Sequence, residues 1–422
     1  MEQIETVVVG AGLAGLCAAR DLLDAGRQVV LLEARDRVGG RTYSASFAAA
    51  GLNVDLGAEW VDPDQHQAMM QELARYEIDL EDKVYETPSQ GGAPQTEAAS
   101  WHSIVQTCDR IAAQLNPDPP HWYEGFDQFD LPVTEFLETH SFDINDLSTF
   151  LAHGFALQGA HPDDYSMLNL LHEFGSFGGV EAAFNGAESR IAGGAQSLSI
   201  AIAKKLGPAL RLNCPVTRIA KAGEGVIVEG PAGQLLAGHV IIALPLNVLS
   251  HLSLDMPLPN EAAQVIAEGH VGRAAKGWAV ATLSEPIESV GWPHAVEVYS
   301  RRGARSDVVC TFAVAEPDHD EALADSWRVL SARHPDIVLH QQHLSHDWIS
   351  DPYSRGSWLS TASGQMRGLH QLADMSPPVV FAGGDFSRGW YGWMEGAVTS
   401  GRDVATRLLA YASDDSAPRA AG

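Results

Sequence analysis

The segment that most constrains the fold lies at the start of the chain, where a short apolar run leads into a glycine turn. Residues 4–9 (IETVVV) are rich in β-branched side chains, which favour an extended strand. The turn GAGLAG follows at 10–15, and LCAARDLLDAG at 16–26 has the apolar spacing of a helix. A second apolar run, QVVLLEA, occupies 28–34. This order of strand, turn, helix and strand predicts a βαβ unit, which is the building block of parallel sheets covered by helices.

The glycine spacing of the turn suits the phosphates of a dinucleotide. Gly10, Gly12 and Gly15 follow the pattern G-x-G-x-x-G, in which the first permits a tight turn, the second lets the backbone approach a diphosphate and the third lets the helix pack on the strand. The phosphates would lie at the N-terminus of the helix, which begins near Leu13. Glu33 is placed at the end of the second strand to accept hydrogen bonds from ribose hydroxyls, and its charge disfavours NADP.

The residues after Glu33 distinguish between NAD and FAD. They read ARDRVGGRTYS, so that Gly39, Gly40 and Arg41 come directly after the second strand. A glycine pair lets the backbone run beside an extended dinucleotide, and an arginine can pair bidentately with its phosphate. Simple NAD-binding folds do not need these residues, and the pattern therefore favours FAD.

The rest of the chain alternates between helical and strand-rich regions. Residues 65–205 are predicted to be mainly helical, apart from a polar loop at 81–100. Strands are predicted in the second half, in the segments 209–220, 225–230, 239–246, 276–284, 306–315 and 377–385, and a last helix at 393–411. A second glycine turn after the strand at 377–385 suggests one nucleotide domain assembled from distant segments. We predict an FAD-binding domain from 1–75, 190–268 and 350–412, a substrate-binding domain from 76–189 and 269–349, and a flexible tail at 413–422.

Composition excludes several classes of partner. The 422 residues carry 27 Lys and Arg against 54 Asp and Glu, a formal net charge of −27, which disfavours nucleic acid and anionic membranes. The four cysteines (Cys17, Cys108, Cys214 and Cys310) stand apart from one another, and neither a signal peptide nor a membrane span is evident. We therefore expect a soluble cytoplasmic protein. The histidines of HQQHLSH (340–346) alternate between the two faces of a predicted strand, so no metal is expected.

Four ordered segments resemble the flavin-containing amine oxidase superfamily, which includes monoamine oxidase, polyamine oxidase and L-amino acid oxidase. The string at 7–44 looks almost line for line like the monoamine oxidase N-terminus, and DLGAEW (55–60) looks like the loop over the flavin. Residues 193–207 followed by 212–219 resemble the second FAD segment, which 241–249 continue. The stretch FAGGDFSRGWYGWMEGAVTSGRDVA (381–405) resembles the C-terminal flavin signature. The chain looks closest in motif to soluble bacterial-type flavin monoamine oxidases.

The resemblance implies an α/β fold with a Rossmann-like FAD-binding domain of the amine oxidase type and a discontinuous α+β substrate-binding domain. It also implies which residues hold the cofactor, which are Gly10, Gly12, Ala14, Gly15, Glu33, Ala34, Arg35, Gly39, Gly40, Arg41, Gly57, Ala58, Glu59, Val216, Gly384, Asp385, Met394 and Ala397. Some monoamine oxidases attach the flavin through a cysteine just before the first aromatic residue of the active site. Ser357 stands in that position, so FAD should be bound non-covalently.

The same resemblance implies three catalytic residues. Lys276 matches the lysine that holds a water against flavin N5, with a surface lysine at a strand edge as the alternative. Trp358 and Trp393 match the two aromatic side chains that stand face to face above the flavin and hold the amine by apolar and cation–π contact. For either tryptophan, a purely structural place in the core remains the alternative.

The region around DLGAEW also bears on the choice of substrate. Amino acid oxidases place an arginine near this loop to clamp a carboxylate, whereas this chain has Glu59 and Trp60. An acidic residue would repel a carboxylate and attract an ammonium group, which favours amines, although Glu59 could instead only order the loop. Arg190 and Arg273 are the other candidates for a carboxylate clamp.

The resemblance thus implies an FAD-dependent oxidation of a primary or secondary amine. Hydride passes from the α-carbon to flavin N5, the imine hydrolyses to an aldehyde or ketone, and dioxygen reoxidises the flavin to give hydrogen peroxide. An L-amino acid oxidase, a flavin desaturase and a flavin-binding sensor are the alternatives. Both monomers and homodimers occur in such families, and a homodimer is kept as one alternative.

Overall fold

The computed structural model describes residues 1–81, 98–117, 121–186 and 188–415. The helices are α1 (Leu13–Asp24), α2 (Gln67–Arg75), α3 (Ala98–Ala112), α4 (Val133–Thr139), α5 (Ser148–Gln158), α6 (Met167–Phe177), α7 (Val180–Asn185), α8 (Gln196–Leu206), α9 (Leu246–Leu249), α10 (Asn260–Glu268), α11 (His319–Arg333), α12 (Met366–Ala373) and α13 (Met394–Asp415). The strands are β1 (Glu2–Val9), β2 (Val29–Leu32), β3 (Ser44–Phe47), β4 (Leu52–Asp55), β5 (Trp60–Val61), β6 (Ser189–Arg190), β7 (Leu210–Arg211), β8 (Arg218–Ala222), β9 (Gly225–Gly230), β10 (Gly233–Ile242), β11 (Ser253–Asp255), β12 (Ala274–Thr282), β13 (Glu288–Val290), β14 (Glu297–Arg301), β15 (Asp307–Val314), β16 (Val338–Ser345) and β17 (Val379–Phe381).

The first sheet is built on the predicted βαβ unit. Its strand order is β11-β8-β9-β10-β1-β2-β7, and β17 pairs with the end of β10. The centre of the sheet is parallel, since β1 runs parallel to both β2 and β10, and β10 runs parallel to β17. The β-branched residues of β1 are almost fully buried, because α1 and α13 cover one face of the sheet and the other face packs into a second apolar cluster. Distant segments of the chain thus meet in one sheet.

The second sheet is antiparallel and comes from one continuous stretch of chain. Its order is β13-β14-β15-β12-β16, so β12 is an interior strand between β15 and β16. Eight consecutive residues of β12 are buried, because α11 packs on one face and the β3–β4 hairpin and α5 lie on the other. All of its strands lie within 269–349, and the strands of the first sheet lie within 1–75, 190–268 and 350–412. The domain boundaries themselves stay a prediction.

Two expectations about local structure need correction, and a third falls mostly outside the described residues. The predicted strand at 209–220 is two short strands, β7 and β8, because Asn213 has a φ of 56° and Pro215 has no N–H for the ladder. The last helix continues to Asp415, so the predicted tail at 413–422 begins too early, and 416–422 lie outside the described residues. Residues 82–97 of the predicted polar loop also lie outside them, and α3 already begins at Ala98.

Candidate active site

A large cavity lies between the two sheets and receives side chains from both. The carboxyl ends of β1 and β2 contribute Val9 and Leu32, and the second sheet contributes Lys276, Glu297 and Phe312. Its volume, including the open mouth, is about 1810 Å³.

Most of the sequence-predicted site residues line this cavity, although they come from five separated parts of the chain. These residues are Gly10, Gly12, Ala14, Glu33, Ala34, Arg35, Gly39, Gly40, Arg41, Gly57, Ala58, Glu59, Trp60, Val216, Lys276, Trp358, Gly384, Trp393, Met394 and Ala397. Gly15 and Asp385 do not line it. Gly15 packs so tightly that a Cβ atom would stand 2.0 Å from the carbonyl oxygen of Gly10, and Asp385 is fully buried behind Arg41.

The glycine turn presents the N-terminus of α1 to the cavity. Gly10 has a φ of +103°, and a Cβ atom there would lie 2.4 Å from the carbonyl oxygen of Ala243, so only glycine fits. A Cβ atom at Gly12 would meet no atom within 4 Å, which leaves the backbone open to a ligand. Glu33 accepts hydrogen bonds from the N–H groups of Ala11 at 2.7 Å and Arg35 at 2.9 Å. A carboxylate has about four acceptor positions, so it can still accept from hydroxyl groups of a ligand.

Two arginines stand at this end of the cavity, and each is held by an aspartate. Arg41 donates to Asp385 at 2.6 Å and to the Ser357 carbonyl at 3.0 Å. Burial works to raise the pKa of Asp385, but Arg41 outweighs it and the pKa is lowered. Arg35 donates to Asp351 at 2.8 Å. Both guanidinium groups are therefore positioned in advance for an anion, with donors left over.

The residues at this end fit a dinucleotide. Val216 and Cys214 lie in the loop between β7 and β8, and Met394 and Ala397 lie in the first turn of α13, so a second helix N-terminus faces the cavity. Ser357 lines the cavity as well, and its hydroxyl accepts a hydrogen bond from the Ala274 N–H at 3.0 Å. The open glycine backbone, two helix N-termini and two positioned arginines together match the diphosphate of such a group.

Lys276 lies in the interior of the second sheet and is 3% exposed, so it is not a surface lysine at a strand edge. Its ammonium group donates to Oε2 of Glu59 at 2.5 Å and to the Gly57 carbonyl at 3.2 Å. Burial works to lower the pKa of Lys276, but the nearby carboxylates, Glu59 first among them, outweigh burial and the pKa is raised. An ammonium group has three donors, so one remains available for a water in the cavity.

Glu59 is 2% exposed and is occupied by this contact, which changes its predicted role. Its carboxylate also accepts from the Tyr299 hydroxyl at 2.6 Å, and Arg190 stands 3.6 Å from its other oxygen. Burial works to raise the pKa of Glu59, but Lys276 and Arg190 outweigh it and the pKa is lowered. Because this carboxylate is neutralised by a lysine, attraction of a substrate ammonium group by Glu59 no longer follows from its charge.

The two predicted cage tryptophans line the cavity from different segments, and each is fixed by its indole N–H. Trp358 donates to the Leu157 carbonyl at 2.7 Å and packs edge-to-face with Phe312. Trp393 donates to Oε1 of Glu173 at 2.7 Å. A hydrogen bond at the indole nitrogen holds the plane of the ring, so both aromatic faces are held in place before a ligand enters.

Glu173 on α6 is a functional candidate that the sequence analysis missed. It is buried behind Trp393, and Gln158 donates a second hydrogen bond to it at 2.6 Å. Burial raises the pKa of Glu173 to about 8, against the effect of these two hydrogen bonds. A lone carboxylate in the apolar helix MLNLLHEFGSF was the available signal.

The titration of Glu173 predicts a pH-dependent stability. A free glutamate titrates near 4.5, so between that pH and about 8 the folded chain keeps a proton that the unfolded chain releases. The free energy of unfolding should therefore fall as the pH rises through this range. In denaturant unfolding, the free energy of unfolding of Glu173→Gln relative to that of the wild type should increase by about 1–3 kcal/mol between pH 5 and pH 8.5.

The exposed Glu181→Gln on α7 is the matched control for the loss of a glutamate side chain. A constant difference for Glu173→Gln would show that Glu173 titrates normally.

The comparison with protein families decides the family to which this chain belongs. The model of the flavin-containing amine oxidoreductases matches residues 13–409, which is nearly the whole chain. The chain belongs to this family. Its members include putrescine oxidase of Kocuria rosea, 27% identical over 98% of this chain and 97% of that protein, and the flavin-containing amine oxidase B of Bos taurus, 26% identical over 96% and 86%.

Solved structures agree with the family assignment. A triple mutant of putrescine oxidase, redesigned in its cofactor binding, superposes with a TM-score of 0.84 at 25% identity and covers 97% of this chain and 99% of that one. The predicted α/β fold of the amine oxidase type is thereby confirmed. The chain is a flavin-dependent amine oxidoreductase, and the resemblance drawn from its motifs is confirmed.

The described residues of this amine oxidoreductase offer neither a metal cluster nor a membrane-spanning helix. In residues 1–81, 98–117, 121–186 and 188–415, His, Cys, Asp and Glu side chains form no cluster of three or more that could hold a metal ion. His340 and His346 bind Thr282 and Asp351 respectively. Over the same residues, no helix has both the length and the apolar character needed to cross a bilayer.

Proposed function

We propose that this flavin amine oxidoreductase binds FAD non-covalently and oxidises primary or secondary amines that carry no α-carboxylate. The observation that carries the substrate class is the placement of the arginines. The arginines among the described residues that line the cavity are Arg35 and Arg41, and both lie at the dinucleotide end. Arg190 is buried between Glu59 and Glu81, and Arg273 is exposed. Within the described part of the chain, the aromatic end of the cavity therefore offers a carboxylate no guanidinium clamp.

In the proposed reaction, the cofactor, the two tryptophans and the lysine each have a separate role. Bound FAD would accept a hydride at N5 and pass two electrons to dioxygen, which yields hydrogen peroxide. Trp358 and Trp393 would hold the neutral amine between their faces and keep bulk water away. Lys276 would hold a water with its remaining donor, and the imine released from the amine would hydrolyse to an aldehyde or ketone.

A substrate panel tests the proposal. Alkylamines and arylalkylamines should bleach the flavin under anaerobic conditions and produce hydrogen peroxide in air, whereas the α-amino acids with the same side chains should react at least about tenfold more slowly. The similarity to putrescine oxidase supports amines as the substrate class. Faster turnover of the amino acids than of their decarboxylated counterparts would establish an L-amino acid oxidase instead, and a desaturase would bleach with neither group.

The cofactor should be FAD that acid releases from the chain. Ser357 stands where a cysteine would form a thioether, and its buried hydroxyl is engaged by the Ala274 N–H, so the chain offers no thiolate there for attachment. Acid precipitation should leave the yellow colour in the supernatant, and chromatography should identify it as FAD. Flavin fluorescence that stays with the polypeptide in a denaturing gel would contradict non-covalent binding.

We place the enzyme in the cytoplasm as a soluble protein, because all four cysteines are free and three of them are buried. We also propose a division into an FAD-binding domain from 1–75, 190–268 and 350–412 and a substrate-binding domain from 76–189 and 269–349, with the cavity between them. A homodimer stays one alternative, and size-exclusion chromatography with light scattering would decide it.

A further inference from the structure

The C-terminal end of α5 forms part of the cavity wall beside Trp358. Ala156 and Leu157 line the cavity, and the Leu157 carbonyl accepts the hydrogen bond from the Trp358 indole N–H. Gly159 follows the helix with a φ of +64°, and a Cβ atom there would stand 2.7 Å from Cε2 of Trp358. Because a side chain at this position would displace the ring, the indole lies directly against the helix end.

Gln158, the last residue of α5, extends this support to the second tryptophan. It is 2% exposed and does not line the cavity. Its amide nitrogen donates to Oε2 of Glu173 at 2.6 Å, and Oε1 of the same carboxyl group accepts from the Trp393 indole N–H at 2.7 Å. Because Leu157 and Gln158 are consecutive, one helix end supports both rings.

The amide of Gln158 is also held from its other side. Its oxygen accepts from the amide nitrogen of Asn169 on α6 at 2.5 Å and from the Ser360 hydroxyl at 3.3 Å. Ser360 is fully buried and lies two residues after Trp358 in the chain. In this arrangement, the amide offers its nitrogen to one acceptor and its oxygen to two donors. A shift of Gln158 would therefore disturb α6 and the segment of Trp358 together.

A buried polar network of this kind has a cost that apolar packing would not have. Removal of a carboxyl group and two amides from water is unfavourable unless each is hydrogen-bonded, and apolar side chains could fill the same space. A network with its hydrogen bonds made fixes the orientation of its members in return. The groups that this network holds at the cavity are the indoles of Trp358 and Trp393, so the network fixes the planes of the two rings.

We propose that Gln158 is a positioning residue, which sets the distance and tilt between Trp358 and Trp393 and so the direction from which the amine approaches the flavin. This inference rests on the proposed amine oxidase function and adds to it a residue outside the cavity wall. An amine between rings that can turn would still be bound by the same apolar surface, but it would be aligned for reaction less often. Loss of Gln158 should therefore slow hydride transfer more than it weakens binding.

The kinetic test separates reduction of the flavin from its reoxidation. Gln158→Met keeps the approximate length of the side chain and removes its hydrogen bonds. In anaerobic stopped flow with an amine that the wild type oxidises, the limiting rate constant of reduction should fall by about 10-fold or more, because a misplacement of about 1 Å can cost about 10²-fold. The amine concentration that gives half of this rate should stay within about threefold of the wild-type value. Reoxidation by dioxygen should keep the wild-type rate.

Fluorine NMR gives a second readout, which does not depend on activity. The chain contains 10 tryptophans, and in protein labelled with fluorotryptophan the signals of Trp358 and Trp393 can be assigned by replacing each in turn with phenylalanine. Gln158→Met should shift or broaden both signals and leave that of Trp327 on α11 in place. A change confined to Trp393 would overturn the shared support of the two rings.

Gln264→Met is the matched control, because Gln264 is an exposed glutamine of α10, and it should match the wild type in every measurement. Reduction at the wild-type rate in Gln158→Met, or an equal loss of reduction and reoxidation, would overturn the positioning role. Should Gln158→Met not fold, Gln158→Asn draws the amide back from Glu173 by one carbon and should change the same signals and the same rate constant. If no amine reduces the wild-type flavin, the proposed function fails, whereas the fluorine signals still decide whether Gln158 holds the rings.

Discussion

Replacing Lys276 by methionine should slow reoxidation of the bound flavin in air by about 10²–10³-fold, while reduction by an amine stays near the wild-type rate. Electron transfer to dioxygen develops negative charge, which a buried ammonium group stabilises in surroundings of low dielectric constant. Oxidation of a neutral amine develops positive charge on the substrate, which the ammonium group does not help. Lys276 lies on the cavity wall with one donor free, so it is placed to have this unequal effect.

The test is a stopped-flow experiment that measures the two half-reactions separately. Lys204→Met makes the same chemical change at an exposed position of α8 and should alter neither rate. Reoxidation at the wild-type rate in Lys276→Met would show that the lysine only pairs with Glu59.

Loss of Lys276 also leaves Glu59 buried without its lysine. Removing one partner of a buried pair costs about 3–5 kcal/mol, although Tyr299 and Arg190 still face this carboxylate. The double variant Glu59→Gln/Lys276→Met removes both charges and should recover part of the loss in thermal stability. It should reoxidise as slowly as the single variant, and faster reoxidation would assign the defect to the stranded carboxylate.

Replacing Trp393 by alanine should lower kcat/KM for amines by about 10²-fold or more and leave the flavin content of the purified protein close to that of the wild type. The indole forms part of the cavity wall and is held by Glu173, whereas the adjacent helix N-terminus at Met394 faces the dinucleotide end. Loss of the ring removes an aromatic face worth a few kcal/mol to an oriented amine.

Steady-state kinetics and the ratio of flavin to protein absorbance give the answer. Trp390→Ala is the matched control, because Trp390 packs on His66 and Phe177 as Trp393 does but does not line this cavity. It should lose far less activity. A Trp393→Ala protein that purifies without flavin would show that Trp393 is needed for the fold of the cofactor site.

The distribution of confirmed and missed features has a physical basis. Short apolar runs and repeats of 3.6 residues reflect burial over a few neighbouring positions, so β1, α1 and β12 could be recognised from their own residues. The strand predicted at 209–220 failed at Asn213 and Pro215, where single-residue backbone geometry overrides apolar pattern. Glu173 was missed because it belongs to no local motif.

The sequence by itself determined the dinucleotide end of the site. Gly10, Gly12, Gly15 and Glu33 are neighbours in the chain, and backbone geometry within one βαβ unit dictates where they stand. Tertiary structure decided the other end. Lys276 and Glu59 are 217 residues apart and Trp393 and Glu173 are 220 apart, so their pairing depends on how sheets and helices pack. Lys276 and Phe312 stand side by side in the cavity wall only because β12 and β15 pair in one register, which depends on contacts between strands that no single segment contains.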